Sequence, residues 1–201
     1  MRHNLTILGL LLASASLAIA QAANELRIDF DPASTKVEFT LGDVLHTVHG
    51  TFHLKSGSMH FDPATGAAGG LLVVDATSGN SGNDTRDHKM NKEILESDKF
   101  PEATFTPQRV IGQLAKQGSS DIQVKGIFRI HGADHDLTLN VPARVNGNQL
   151  QMQTQFIVPF VHWGMKDPST FILRVNKEVQ MSISGTELIS GATESTAHIS
   201  H

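Results

Sequence analysis

Short runs in which apolar and polar residues alternate recur along the chain, and they restrict it to a sheet that covers one of its own faces. Leu26-Ile28-Phe30 and Val37-Phe39-Leu41 alternate with Arg27, Asp29, Lys36, Glu38 and Thr40. Val48-Gly50-Phe52-Leu54 opposes Thr47, His49, Thr51 and His53, and Ile122-Val124-Gly126-Phe128-Ile130, Leu137-Leu139-Val141 and Leu150-Met152-Phe156-Val158-Phe160 each keep to a single parity. A period of two belongs to a half-buried strand. Turn residues punctuate the runs at 31–34, 62–66, 131–135 and Asn146-Gly147. Lys55-Ser56-Gly57 predicts a further hairpin turn into Met59 and Phe61, 77–83 a Gly/Ser/Asn-rich loop, and 109–114 a weaker strand. Phe171-Leu173-Val175 and Val179-Met181-Ile183 complete the set. Some eight to ten short strands point to an all-β antiparallel barrel or sandwich.

One stretch breaks the pattern. In 83–105, Asn83 or Asp84 can cap a helix in which Met90, Ile94 and Leu95 recur at helical spacing among Lys89, Lys92, Glu93 and Glu96. Pro101 is expected to end it and Thr104-Phe105 to resume the strand pattern. A narrow apolar face of this kind packs on a sheet, closing one side or end of the barrel.

The N-terminus reads as an export signal: Arg2, an apolar run over 5–17, and Ala18-Ile19-Ala20 as cleavage site, with Ala20-Gln21-Ala22 as a second frame. The expected organisation is a signal peptide over 1–20 or 1–22, one barrel domain over 23–189 and a polar tail over 190–201 without fixed structure. A periplasmic location and no stable membrane insertion follow from the same reading. The formal charge of -4 comes with no basic block, which argues against nucleic acid and anionic membrane surfaces as partners. With no cysteine there are no disulfides and no thiolate chemistry, so stability must come from a core.

Catalytic patterns are sparse. Gly79-Asn80-Ser81-Gly82-Asn83 lacks the last glycine and the setting of a nucleophile elbow, and there is no HExxH or P-loop. Asn83-Asp84-Thr85 is formally a glycosylation sequon. His46 and His49 fall on opposite faces of a strand, while His49 and His53 share a face but lie roughly 13 Å apart at about 3.3 Å per residue. His131 and His135, with Asp134 or Asp136, could converge across a turn to hold a metal for hydrolysis, and His198 and His201 could scavenge one weakly. No catalytic residue, resident metal or catalytic cofactor is expected, so the chain reads as a binder rather than an enzyme.

Three stretches carry a resemblance. Arg86-Asp87-His88-Lys89-Met90 with Phe100-Pro101-Glu102-Ala103-Thr104-Phe105, then Val124-Lys125-Gly126-Ile127-Phe128-Arg129-Ile130-His131-Gly132, then Trp163-Gly164-Met165-Lys166-Asp167 resemble the YceI-like family, in order and spacing. Thr47-Val48-His49-Gly50-Thr51-Phe52 fits it too. The resemblance implies an elongated, lipocalin-like up-and-down barrel of about eight strands with one interrupting helix. It also implies a tunnel for a long isoprenoid, either an isoprenoid quinone or a polyprenyl lipid, and by family analogy a homodimer. Where the family often has aromatic residues in the helix, this chain has Glu93-Ile94-Leu95-Glu96, so the wall is expected to be less aromatic.

The expected ligand wall is Val48, Phe52, Met90, Ile94, Leu95, Phe128, Ile130, Phe156, Val158, Phe160 and Trp163. Each of these equally suits an ordinary filled core, because the alternation is the same in both cases. Arg86 and Asp87 could clamp a head group or anchor the loop at the helix start. A compact interaction module with a filled core is the reading that a cavity would exclude.

Overall fold

The computed structural model describes residues 25–42, 47–170 and 174–191. The signal segment, His46, Phe171, Leu173, most of the polar tail, His198 and His201 lie outside the described residues. Nine strands are described: β1 (Leu26–Phe30), β2 (Lys36–Gly42), β3 (Thr47–Phe61), β4 (Ala68–Asn80), β5 (Glu102–Ile111), β6 (Gly118–Ile130), β7 (Ala133–Asn146), β8 (Gln149–Val158) and β9 (Val179–Gly191). Between β4 and β5 stands one helix, α1 (Asp84–Lys89), continued by a π-helical turn at Met90–Ile94.

Every pairing is antiparallel, and β3–β4 contact closes the sheet. The nine strands make eight staves, because β1 and β2 share one. Both lie between β3 and β9, β1 against Phe61 to Gly57 and β2 against Phe52 to Thr47 of the same β3. Residues 31–35 leave the wall between them. The result is the closed, up-and-down, antiparallel barrel with one helix that the alternation and the resemblance predict, each strand pairing with a neighbour on both sides over at least part of its length.

Two predicted breaks are β-bulges instead. β3 runs straight through 55–57 with a register shift between Leu54 and Ser56. Inward residues are even-numbered before it (Val48, Phe52, Leu54) and odd-numbered after it (Met59, Phe61), a parity switch that mimics a reversal in sequence. β5 likewise runs continuously from Glu102 to Ile111, shifting between Pro107 and Arg109, so that Phe105 and Pro107 are followed inward by Val110. The 77–83 loop is also shorter than predicted, since β4 continues to Asn80.

The helix is shorter as well. It ends at Ile94, well before Pro101, and two residues on Glu96 takes a left-handed φ of 45°, a conformation that stops a helix. The Asn146-Gly147 turn occurs one residue late, with Asn146 paired to Gln149 around Gly147 and Asn148.

The barrel is packed in one half and hollow in the other. Ile28, Phe30, Leu54, Met59, Phe61, Phe105, Val110, Ile122, Val124, Leu139, Val141 and Leu150 form one continuous buried cluster. Val158, Phe160 and Met165 form a second, smaller one toward the helix end.

Candidate ligand cavity

At the helix end the strands stop filling the interior, and a cavity of about 450 Å³ remains, within the range of roughly 300–1,000 Å³ typical of small-molecule sites. Its wall is mostly apolar. Val48, Phe52, Phe128, Ile130, Phe156, Val158 and Phe160 line it from the strands and the segment after β8, and Met90, Ile94 and Leu95 from the helical segment. Ten of the eleven predicted wall positions therefore surround one space. Trp163 does not: it lies outside the lining.

Other lining residues were not singled out from sequence. Val37, Phe39 and Leu41 of β2 and Val179, Met181 and Ile183 of β9 carry the inward parity that would have placed them there. Val74, Ala76 and Ala103 add small surfaces; Met165 and Pro168 come from the long β8–β9 connection, where no periodicity marks an inward side chain, and Val175, expected on a strand from its alternation, lines the cavity from a single bridge position there.

Close approach of the helix to the sheet depends on glycine. A Cβ on Gly79 would lie 2.4 Å from Met90 Cε and 2.8 Å from Phe52 Cε1, so a bare backbone lets both side chains meet over β4 without displacement. Gly50 serves Phe39 in the same way, its Cβ position being 2.3 Å from the ring. The inward glycine is therefore occupied space, filled by a neighbour's ring. The π-helical turn then allows Met90, Ile94 and Leu95 all to reach the cavity, with Leu95 N–H donating to Met90 O at 2.9 Å.

Hydrogen bonds fix both ends of this cover. At its start Asn83 Oδ1 accepts from Arg86 N–H at 3.0 Å, capping the helix. Arg86 donates from Nε to Ser81 Oγ (2.7 Å) and from Nη2 to Ser81 O (2.8 Å), while Asp87 Oδ1 accepts from Ser81 N–H (2.9 Å) and from its hydroxyl. Both residues thus anchor the loop through Ser81. Arg86 also borders the cavity, and Asp87 does not.

At the far end Lys166 donates to Glu93 at 2.5 Å and His131 Nε2 lies 2.8 Å from Glu96 Oε2. The Lys166 ammonium holds Glu93 below its ordinary 4.5. Hydrogen bonds from Lys99 and then His131 do the same for Glu96.

The two turn histidines part company. His131 goes to Glu96 and packs on Phe100, with centroids 4.7 Å apart, while His135 stacks on Trp163 at 3.9 Å. Asp134 pairs with Arg129 instead. Their turn at His131-Gly132 is formed by positive φ at both residues (51° and 77°), which turns the arms directly into a ladder without gathering the imidazoles. Among the described residues no group of three or more His, Asp or Glu is arranged to hold a metal ion. No described helix is long and apolar enough to cross a membrane.

A family model for the YceI-like domain matches residues 29–186. The chain belongs to the YceI-like family. A UPF0312 protein of Yersinia enterocolitica is 30% identical over 149 residues, covering 72% of this chain and 75% of its own. Protein YceI of Escherichia coli is 28% identical over 138 residues, covering 67% and 70% respectively.

Two solved structures share the YceI-like barrel. BcnA of Burkholderia cenocepacia superimposes with a TM-score of 0.64 at 21% identity, covering 81% of this chain and 99% of that one. A polyisoprenoid binding domain from Saccharophagus degradans, implicated in plant cell wall breakdown, gives 0.62 at 17% identity, covering 82% and 98%. At these identities the likeness speaks for the fold.

Proposed function

We propose that this YceI-like protein binds an isoprenoid lipid, an isoprenoid quinone or a polyprenyl species, in the hollow half of its barrel. It would act as carrier or store in the periplasm rather than as a catalyst. The observation that carries the reading is the division of one barrel into a packed half and a hollow, apolar half of about 450 Å³. A filled-core module would continue its packing to both ends.

Burial supplies the affinity, at about 25 cal/mol per Å² of apolar surface removed from water. Methyl branches of a prenyl chain suit a wall built from Phe, Val, Ile and Met side chains, and three methionines, Met90, Met165 and Met181, can adjust to it. At about 30 Å³ per water-sized group the space accepts roughly fifteen carbons. A longer chain would extend beyond the cavity. The polar residues at the rim, Ser81, Asn83, Thr85, Arg86 and Lys89, are available to a head group there. Binding of a polyisoprenoid by the Saccharophagus degradans domain of the same fold supports the choice of ligand class.

The test is organic extraction of protein purified from the periplasm of an expression host, followed by mass spectrometry. A stoichiometric prenyl species is expected and would also name the head group. A clean extract from folded protein that takes up no prenyl lipid on addition would overturn the reading.

A further inference from the structure

Between β7 and β8 the barrel wall changes character. The two strands pair only from Ala143↔Met152 to Asn146↔Gln149. Among the described residues no ladder pair joins 133–142 of β7 to 153–158 of β8, although β7 stays paired to β6 and β8 to β9 over those lengths.

Pro142 accounts for the place where pairing stops. In a hairpin closed by Asn146 and Gln149, positions 146 and 144 direct their N–H groups at β8, and 142 is next in that series. Proline has no N–H to give. Side chains seal the seam above it. Phe128 of β6 and Phe156 of β8 meet at 5.8 Å with rings 73° apart, bypassing β7, and both face the cavity. Outside that pair Trp163, on the turn after β8, lies flat on His135 of β7 with centroids 3.9 Å apart and planes 9° from parallel, and also contacts Phe128 at 6.0 Å.

We propose that the seam between β7 and β8 is the lateral door through which an apolar chain enters and leaves the cavity, and that Trp163 stacked on His135 is its latch. The inference rests on the lipid-binding reading and adds the route. Opening here separates aromatic contacts and costs no ladder hydrogen bond. Lifting the helical cover would instead break the Ser81 bonds to Arg86 and Asp87, Glu93–Lys166 and Glu96–His131. Ile157, 48% exposed on the outer face of β8, lies beside the seam and continues the apolar path outward.

Trp163 is the one tryptophan of the chain, so its emission reports the stack directly. The experiment loads full-length protein with anthraniloyl-geranylgeraniol and follows uptake, and release into phosphatidylcholine vesicles, by stopped-flow fluorescence. It compares wild type, His135→Ala, His135→Phe and Glu93→Gln. Unstacking in His135→Ala should speed uptake and release alike by roughly three- to tenfold, the factor that a lost aromatic pair corresponds to. Their ratio, Kd, stays unchanged, because neither ring of the latch lines the cavity. His135→Phe, which restores a flat partner, should return both rates to wild type. Trp163→Leu, which removes the other ring of the stack, gives the same rate comparison should His135→Ala fail to fold.

Rates indifferent to His135 and Trp163 but quickened by Glu93→Gln would overturn the door and place traffic under the helix. A wild-type protein that takes up no probe would overturn the ligand reading and the door with it.

Discussion

The Glu187 carboxylate accepts a 2.8 Å hydrogen bond from Thr35 Oγ1 at the point where the barrel's first stave is broken. Its other oxygen accepts from Asp31 N–H at 2.9 Å and Ser34 Oγ at 3.2 Å, and the residue is 1% exposed. A carboxylate thus replaces the strand that 31–35 removes from the wall, lying over Gly185, whose Cβ would stand 2.0 Å from Glu187 Oε1. Glu187→Ala should cost about 3 kcal/mol, because it strands buried donors as well as opening a hole. Glu187→Gln, which keeps the volume and one acceptor oxygen, should cost about half as much. Urea unfolding of the two variants measures the difference.

The packed and hollow halves should answer the same mutation differently. Phe61, 2% exposed within the main cluster, should cost about 3–5 kcal/mol on replacement by alanine. Phe52 faces the cavity and already lacks neighbours on one side, so Phe52→Ala should cost about 1–2 kcal/mol by the same reasoning. Bound-lipid content should follow the opposite order, falling for Phe52→Ala and holding for Phe61→Ala at temperatures where both are folded. Denaturant midpoints and lipid extracts of the two variants check both halves of this expectation.

Two glycines separate backbone from side-chain obstruction. At Gly50 a methyl group would meet Asn80 O at 2.5 Å and the Phe39 ring at 2.3 Å, and the carbonyl cannot move without distorting β4. At Gly79 it would meet the flexible end of Met90 and the edge of Phe52. Gly50→Ala should therefore lose about 3 kcal/mol and Gly79→Ala about 1 kcal/mol, the upper and lower ends of overpacking. Gly79→Ala should show its effect in the helical cover as faster amide exchange over 84–95.

Acid should loosen that cover. Glu93 and Glu96 are held below their ordinary 4.5 by Lys166 and by Lys99 with His131. A depressed folded-state value stabilises fully above the unfolded one and ceases to do so as pH falls through the folded one. The links Glu93–Lys166 and Glu96–His131 should accordingly hold at pH 6 and weaken below about pH 4. Asp62 and Asp75 are depressed too, by their neighbours Ala64 and Thr65 and by Thr77, so global unfolding alone does not isolate the cover. The double variant Glu93→Gln/Glu96→Gln does: its amide exchange over 84–97 should lose the acid-dependent rise that wild type shows.

The strands were legible because each run obeys one parity, and the structure keeps Ile122-Val124-Gly126-Phe128-Ile130 and the Gln149-Gln151-Gln153-Gln155 face as read. Legibility failed where parity switches inside a strand. A bulge at Leu54/Ser56 and another at Pro107/Arg109 look the same as turns from sequence, since a turn and an extra residue both reset the alternation. The shared stave of β1 and β2 was hidden for a different reason: it depends on Glu187, 152 residues from Thr35. Whether the interior was filled or hollow was not legible at all. Phe61 and Phe52 carry the same inward pattern and differ only in what lies across the barrel.

Pro142 offers a last handle on the seam. Pro142→Thr supplies the missing N–H at the next hydrogen-bonding position toward Gln153, on an outward-facing residue where the new side chain meets solvent. One added rung contributes about 0.5–1.5 kcal/mol. Losing proline returns roughly 0.4–1 kcal/mol of freedom to the unfolded chain. These nearly cancel, so the melting temperature should barely move. The new amide should nevertheless exchange slowly, as a ladder donor does, and prenyl probe transfer should slow because part of the seam is now bonded. Slow exchange at 142 with unchanged transfer would mean that the path lies nearer the mouth, between Trp163 and His135. Fast exchange at 142 would mean that β8 does not come within bonding distance of β7 beyond Ala143 even when a donor is offered.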